Sequence, residues 1–242
     1  MAPGDHPEAA PVTEGASGRA ADSHWVRWHE PYEDPSSPLS LRLRLVQSMV
    51  RDFLDAVPST HRGPIRLVSM CAGQGRDVID VVSTHPRGTQ VSALLVELDP
   101  ALVAFARDRA AAAGVAEQVR IVEGDASLCQ WYENGVPADL VLVCGVFGNI
   151  SAGDIARTIQ ALPGFCRMGS EVIWTRHRRP PDATPTIRAG FAAAGFGEVA
   201  FEAPDGYVLA VGRHRLDGEP SPGAFDPTLK LFDFVGDGGL PA

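Results

Sequence analysis

Val68-Ser69-Met70-Cys71-Ala72-Gly73-Gln74-Gly75-Arg76-Asp77 is the stretch whose reading decides the fold. An apolar run that begins at Ile65 stops at Met70, a turn of small and polar residues follows, and apolar residues resume at Val78 and Ile79. That is a strand, a tight turn and a helix. Small side chains let the turn's backbone come close to a ligand, and the helix N-terminus offers N–H groups without intrahelical partners. An ordinary strand-to-helix turn looks the same, so the meaning of this loop depends on the rest of the chain.

Downstream, the helix from about Gly75 to Ser83 leads to a strand at Val91–Val96 and an alanine-rich helix from Pro100 to about Ala113, with Gly114 suited to its C-terminal cap. A third strand, Val119–Val122, precedes a short turn or helix from Ala126 to about Tyr132. Then come a strand at Asp139–Cys144, a helix from Ala152 to about Leu162, a strand at Glu171–Thr175, and a helix from Thr184 that stops near Gly195. Two strands close the pattern, Glu198–Glu202 and Tyr207–Val211. Upstream, Ser36-Ser37-Pro38 starts a helix whose stripe of Leu39, Leu43, Val46, Val50, Phe53 and Val57 ends near Pro58. Alternating strands and helices predict a doubly wound, Rossmann-like α/β domain with a mostly parallel sheet covered on both faces. Ala203-Pro204-Asp205-Gly206 is too short for a helical crossover, so the last two strands form an antiparallel hairpin.

The 242 residues suffice for one such domain. Residues 1–23 read as a disordered tail. Residues 24–58 read as an aromatic segment (His24, Trp25, Trp28, His29, Tyr32) plus a helix, together a lid. Residues 59–216 are the α/β domain, and 217–242 a C-terminal extension. The formal net charge of −9 disfavours nucleic acid as a partner. No apolar run is long enough for a membrane span, and the N-terminus lacks the features of a signal peptide, so a cytoplasmic protein with four reduced cysteines is expected. Lys230 is the only lysine. That removes the Tyr/Lys pair of short-chain dehydrogenases, the P-loop lysine and a lysine Schiff base. A dinucleotide fingerprint needs a small residue where Val78 stands, and no clustered Cys/His pattern suggests a metal.

Ligands of open α/β sheets sit outside the carboxyl ends of the strands. Glu97, at the end of the second strand, is placed to accept hydrogen bonds from ribose hydroxyls, while Asp99 suits the start of the next helix. Asp125, after the third strand, can accept from an adenine amino group beside the Ala126 N–H, or can cap the short helix that follows. All three signals fall at successive strand ends, and together they resemble the class I S-adenosylmethionine-dependent methyltransferases from about Ile65 to Val211. Val68–Gly75 is similar to that family's first motif, Leu95–Pro100 to its second, Gly124-Asp125-Ala126 to its adenine-binding motif, and Ala138–Asn149 to its fourth strand and loop.

The resemblance implies strand order 3-2-1-4-5-7-6, S-adenosylmethionine as cofactor and S-adenosylhomocysteine as product. It implies a cofactor site of Cys71, Ala72, Gly73, Gln74, Gly75, Glu97, Leu98, Asp125, Ala126, Cys144 and Gly145. The family often has an acid where Ser69 stands and glycine where Cys71 stands; Asp77 or Arg76 is available to compensate. Acceptor-side candidates are Asn149, which also fits a helix cap, His177 in the basic run Arg176–Arg179, which also fits a solvated loop, and Tyr32 of the lid. The expected activity is methyl transfer to a small-molecule acceptor by a monomer or homodimer. A cofactor-binding regulatory or partner protein remains the alternative, with a nicotinamide oxidoreductase behind it.

Overall fold

The computed structural model describes residues 30–235. The expected tail, with His24, Trp25, Trp28 and His29, and the last residues of the expected extension lie outside the described residues. The strands are β1 (Ile65–Met70), β2 (Val91–Glu97), β3 (Val119–Glu123), β4 (Ala138–Val143), β5 (Cys166–His177), β6 (Phe196–Glu202) and β7 (Leu209–Leu216). The α-helices are α1 (Pro38–Ala56), α2 (Arg76–Thr84), α3 (Pro100–Ala112), α4 (Ala152–Phe165) and α5 (Thr184–Ala193). Short 3-10 turns occur at Glu30–Glu33, Gly88–Gln90 and Cys129–Tyr132.

The seven strands form one sheet in the order β3-β2-β1-β4-β5-β7-β6, as expected. β1 to β5 are parallel where they pair, and β7 runs antiparallel between β5 and β6. Each buried strand is apolar on both faces because helices cover both. Ile65, Leu67, Ala93, Leu95, Leu140 and Leu142 face a core made with α1, α2 and α3. Val68, Met70, Leu94, Val96, Val141 and Val143 face a second core made with α4 and α5. The period-two alternation assigns each side chain to one layer.

Local chemistry sets the helix starts. The Ser37 hydroxyl accepts from the Ser40 N–H at 3.0 Å and donates to the Pro31 carbonyl at 2.6 Å, so one side chain caps α1 and ties down the turn before it. Asp99 caps α3 by accepting from the Ala101 N–H at 2.8 Å. Midway along α1, Gln47 donates to the Arg76 carbonyl at 2.8 Å and fixes α1 against the first turn of α2.

β5 and β7 run further than the apolar patterns at Glu171–Thr175 and Tyr207–Val211 predict. Arg213-His214-Arg215 interrupts the apolar run in sequence, yet the ladder continues from Glu171 opposite Arg215 to His177 opposite Leu209. The polar side chains are accommodated pairwise. Arg213 forms a buried ion pair with Glu171. The His214 ring stacks on Phe191 at 4.4 Å and on Trp174 at 6.1 Å. The segment after β7 is also part of the packing. Leu231 and Phe232 are fully buried in the second core, and the chain bridges Leu128 at Lys230 and Ile150 at Phe234. It has no helical or alternating period, so patterning could not reveal it.

His214 is buried, and neither ring nitrogen has a hydrogen-bond partner among the described residues. Burial pushes its imidazole down from 6.5 to about 4. The unfolded chain therefore takes up the proton first, and the stability from a neutral His214 is present above about pH 6.5 and lost as pH falls toward 4. Urea melts at pH 7.5 and pH 4.5 should show a loss of roughly 3 kcal/mol attributable to this residue. His214→Phe, which keeps the stack, should remove that part of the acid sensitivity; an unchanged pH dependence would contradict the assignment.

Candidate functional site

The chain reverses its winding between β1 and β4, and a cavity of about 350 Å³ opens over the carboxyl ends of the strands there. This is the size range of small-molecule sites. Cys71, Ala72, Gly73 and Gln74 from the turn after β1, Glu97 and Leu98 from the end of β2, Asp125 and Ala126 from the turn after β3, and Cys144 and Gly145 from the turn after β4 all line it. Asn149 and Tyr32 line it too.

Glu97 organises one side. One carboxylate oxygen accepts from the Gly73 N–H at 2.8 Å, the other from the Leu98 and Asp99 N–H groups at 2.9 Å each. Desolvation by burial raises its carboxyl above the ordinary range, opposed by these three hydrogen bonds. The oxygen that meets Gly73 keeps a second lone pair, so the side chain can brace the loops and still accept from a ligand hydroxyl. The structure separates the two readings of Asp125. Its Oδ1 accepts from the Ser127 N–H at 3.0 Å within the turn, while the residue also borders the cavity; it does not cap the short helix, which starts at Cys129 with Leu128 as its N-cap and no side-chain cap.

Cys71 is the only non-glycine residue at positive φ among the described residues, with φ 51°. A Cβ there is disfavoured by roughly 1–2 kcal/mol, which gives the physical reason for glycine at this place. Burial, with Glu97 and Asp125 adding negative charge, pushes the Cys71 thiol up. Burial and Asp77 do the same for Cys144. Burial thus favours the protonated thiol at both cysteines that line the site.

The opposite side was less legible. Arg42 of α1 donates to the Tyr32 hydroxyl at 2.6 Å, and both face the cavity with Leu43, Arg76, Asp77 and Phe234. Asp77 sits in the first turn of α2, and burial pushes its carboxyl up to about 6, with Arg42 pulling it back down. Arg76 holds the wall together. Its guanidinium lies over the rings of Tyr32 and Phe105, at 5.4 and 5.5 Å, pairs with Glu33 at 2.6 Å and donates to Gln74 at 2.6 Å. In sequence the signal for Arg42 was a cation one turn before Val46, on the stripe that α1 buries. Phe234 had no such signal, because the bridge to Ile150 brings it there.

Three expected site residues take other places or duties. Gly75 does not line the cavity; it caps α2 at φ 67°, and an added Cβ would come within 2.7 Å of Ile79 Cδ1 and 3.1 Å of Leu95 Cδ2. Its smallness serves helix–sheet packing. His177 does not line the cavity either. As the last residue of β5 it pairs with Leu209 of β7, further from the switch point, with its ring against Gly148. Burial and the neighbouring Arg176 and Arg179 lower its pKa, so it is a neutral imidazole. Asn149 is present, but its amide donates to the Gly145 carbonyl at 2.7 Å and so clamps the loop after β4. Ser151, not Asn149, caps α4.

Solved structures share this architecture. An O-methyltransferase family protein from Burkholderia thailandensis matches with TM-score 0.56 and 19% identity over 82% of this chain and 64% of its own. The magnesium protoporphyrin IX methyltransferase of Synechocystis, solved with bound S-adenosylmethionine, matches with TM-score 0.60 and 14% identity over 79% of this chain and 90% of its own. The chain has the class I methyltransferase fold. The same fold occurs in the [4+2]-cyclase SpnF, with TM-score 0.51 and 15% identity over 70% of this chain and 81% of its own. This chain thus spans less than two thirds of the Burkholderia protein. No protein-family model and no curated protein sequence matches it. Within the class I methyltransferase fold, the cavity occupies the switch-point crevice where such sheets take their ligands. Among the described residues no cluster of His, Cys, Asp and Glu could hold a metal ion, and no helix is long and apolar enough to cross a membrane.

The two glycine-loop positions should respond oppositely to substitution. Cys71→Gly relieves the left-handed backbone and should melt no lower than the parent. Gly75→Ala adds a Cβ against Ile79 and Leu95 at positive φ and should cost about 1–2 kcal/mol by thermal or urea unfolding. Equal effects at both sites would mean the loop does not have this conformation.

Proposed function

We propose that the protein binds S-adenosylmethionine in this cavity and transfers its methyl group to a small-molecule acceptor. One observation carries the reading: the glycine loop, Glu97 and Asp125, far apart in sequence, converge on one cavity at the switch point. In this reading Glu97 accepts from the ribose hydroxyls, Asp125 from the adenine amino group, and the Ala126 N–H meets a ring nitrogen. Leu98, at 62% exposure, is an apolar side chain at the cavity edge that a base can cover. Residues 59–216 form the cofactor domain, and the turn at Glu30–Glu33 with α1 closes over it.

The cofactor supplies an activated methyl group on a sulfonium, open to in-line displacement. The protein's work is to align the acceptor and keep water away, and good alignment is worth roughly 7–11 kcal/mol of barrier. Tyr32 and Phe234 enclose the site from the two ends of the described chain. Asn149 holds Cys144 and Gly145 in place beside it. A general base adds about 10²–10⁴ in rate where the acceptor must lose a proton. The cavity offers Asp77 for that role more directly than His177, which lies off the lining.

A [4+2]-cyclase shares this fold, so the fold alone does not specify methyl transfer, and a cofactor-binding regulatory or partner protein is the second reading. Isothermal titration with S-adenosylmethionine and with NAD, followed by an assay for S-adenosylhomocysteine over a panel of small hydroxyl, amine and carboxylate acceptors, separates the readings. Binding of the first ligand and not the second is expected, with product formed on at least one metabolite. Binding without product on any acceptor favours the second reading, and activity confined to protein or RNA rules out the small-molecule assignment. Glu97→Ala should weaken binding at least tenfold, about 1.4 kcal/mol or more, while His177→Ala stays within about twofold. Equal losses would mean the ribose site is misplaced.

A further inference from the structure

Arg76 pairs with Glu33, Arg109 with Asp80 and Arg213 with Glu171. Arg176, at the end of β5, pairs with no carboxylate among the described residues; its Nη1 donates to the Phe147 carbonyl. Its Nε is buried and has no hydrogen-bond partner there. Nε and Nη2 make up the guanidinium edge that meets a carboxylate with two parallel hydrogen bonds. Burial lowers the pKa of this group, and Asp182 is the acid that opposes the fall. The Asp182 oxygens are engaged elsewhere: Oδ1 accepts from the Thr184 N–H at 2.9 Å, and Oδ2 lies 3.6 Å from Arg178 Nε. A partly buried cation in this state is stabilised by a bound anion.

One loop ties this cation to the cavity. Cys144, Gly145 and Asn149 of the loop after β4 line the cavity, and Phe147 and Gly148 of the same loop meet Arg176 and His177. A Cβ at Gly148 would stand 3.8 Å from Arg176 Nη1 and 3.9 Å from His177 Cδ2, which are ordinary contact distances, and Gly148 is not among the glycines at positive φ. Neither strain nor crowding calls for glycine here. The missing side chain leaves space between the loop and these two residues.

We infer that the acceptor carries a carboxylate, held by Arg176 across Gly148, while the end that takes the methyl group lies in the cavity beside Gly145 and Asn149. The inference rests on the methyl-transfer reading above and adds the charge of the substrate. The carboxylate is a handle and not the methylated group, because the loop after β4 stands between Arg176 and the cavity lining. Arg179 adds positive charge around His177 on the same side.

The test is titration calorimetry on the full chain, first with S-adenosylhomocysteine and then, in its saturating presence, with paired probes. The probes are 4-hydroxybenzoate, 4-hydroxyphenylacetate and 3-hydroxybutyrate, each against its primary amide. At least one acid should bind more tightly than its amide, by a factor of about ten or more. Arg176→Gln should bring that ratio to within about twofold and leave S-adenosylhomocysteine affinity within about twofold. Arg176→Lys should keep part of the preference, since it retains the charge and loses the fork. Arg120→Gln, at an exposed position of β3, should leave the ratio unchanged. Thermal melts identify any variant that has not folded. Gly148→Val fills the space and leaves the charge, should weaken the acid about tenfold, and carries the test if Arg176→Gln fails to fold. A role confined to bracing Phe147 would lower acid and amide together and preserve the ratio. If the ratio survives Arg176→Gln, or if no acid outbinds its amide, the anionic acceptor is overturned while the adenosyl reading stands. If the parent protein binds no S-adenosylhomocysteine, the adenosyl reading is overturned and this assignment with it.

Discussion

Glu97 accepts the Gly73 N–H on one carboxylate oxygen and the Leu98 and Asp99 N–H groups on the other. A single side chain therefore ties the turn after β1 to the turn after β2. The Gly124 N–H adds a third turn by donating to the Glu97 carbonyl at 2.9 Å. Three loops that would otherwise carry unsatisfied backbone donors near a cavity are locked together. The price is a carboxylate held largely out of water, with a raised pKa. A buried carboxylate with a spare lone pair is suited to a ligand hydroxyl, and the brace and the binding role draw on the same burial.

The opposite wall is built differently. Its groups come from elements that the parallel sheet does not require: the 3-10 turn at Glu30–Glu33, the start of α1, and the segment leading to Phe234. Arg76 joins the first of these to α3 and the glycine loop, through the Tyr32 and Phe105 rings, an ion pair with Glu33 and a hydrogen bond to Gln74. Cation–π and amide contacts of this kind depend on three separate elements meeting at one guanidinium. One side of the cavity is thus part of the sheet's own framework, and the other is an addition that encloses it.

The far edge of the sheet illustrates how tertiary context overrides a local pattern. β7 carries Arg213, His214 and Arg215 where an apolar strand would be expected to end. The strand continues because Glu171 neutralises Arg213 and because Trp174 and Phe191 supply flat apolar faces to the His214 ring. His177, at the end of the same ladder, pairs with Leu209 and does not line the cavity, although it sits beside a promising arginine run.

The sequence by itself determined the strand–helix alternation and the near wall of the cavity, while the order of the sheet came from the resemblance to a known family. The alternation and the near wall rest on local signals: period-two and helical spacing, small residues after β1, and acids at the tips of β2 and β3. Its reading of Gly75 identified the right residue for a different reason, since the glycine there makes room for Ile79 and Leu95. Tertiary structure alone decided the far half. Arg42 and Tyr32 meet only because the Ser37 cap folds the preceding turn back on α1. Phe234 reaches the cavity through a bridge to Ile150, and burial, with Asp80 adding negative charge, lifts Asp77 to about 6. Contacts between residues distant in the chain, and the desolvation they impose, have no local pattern to announce them.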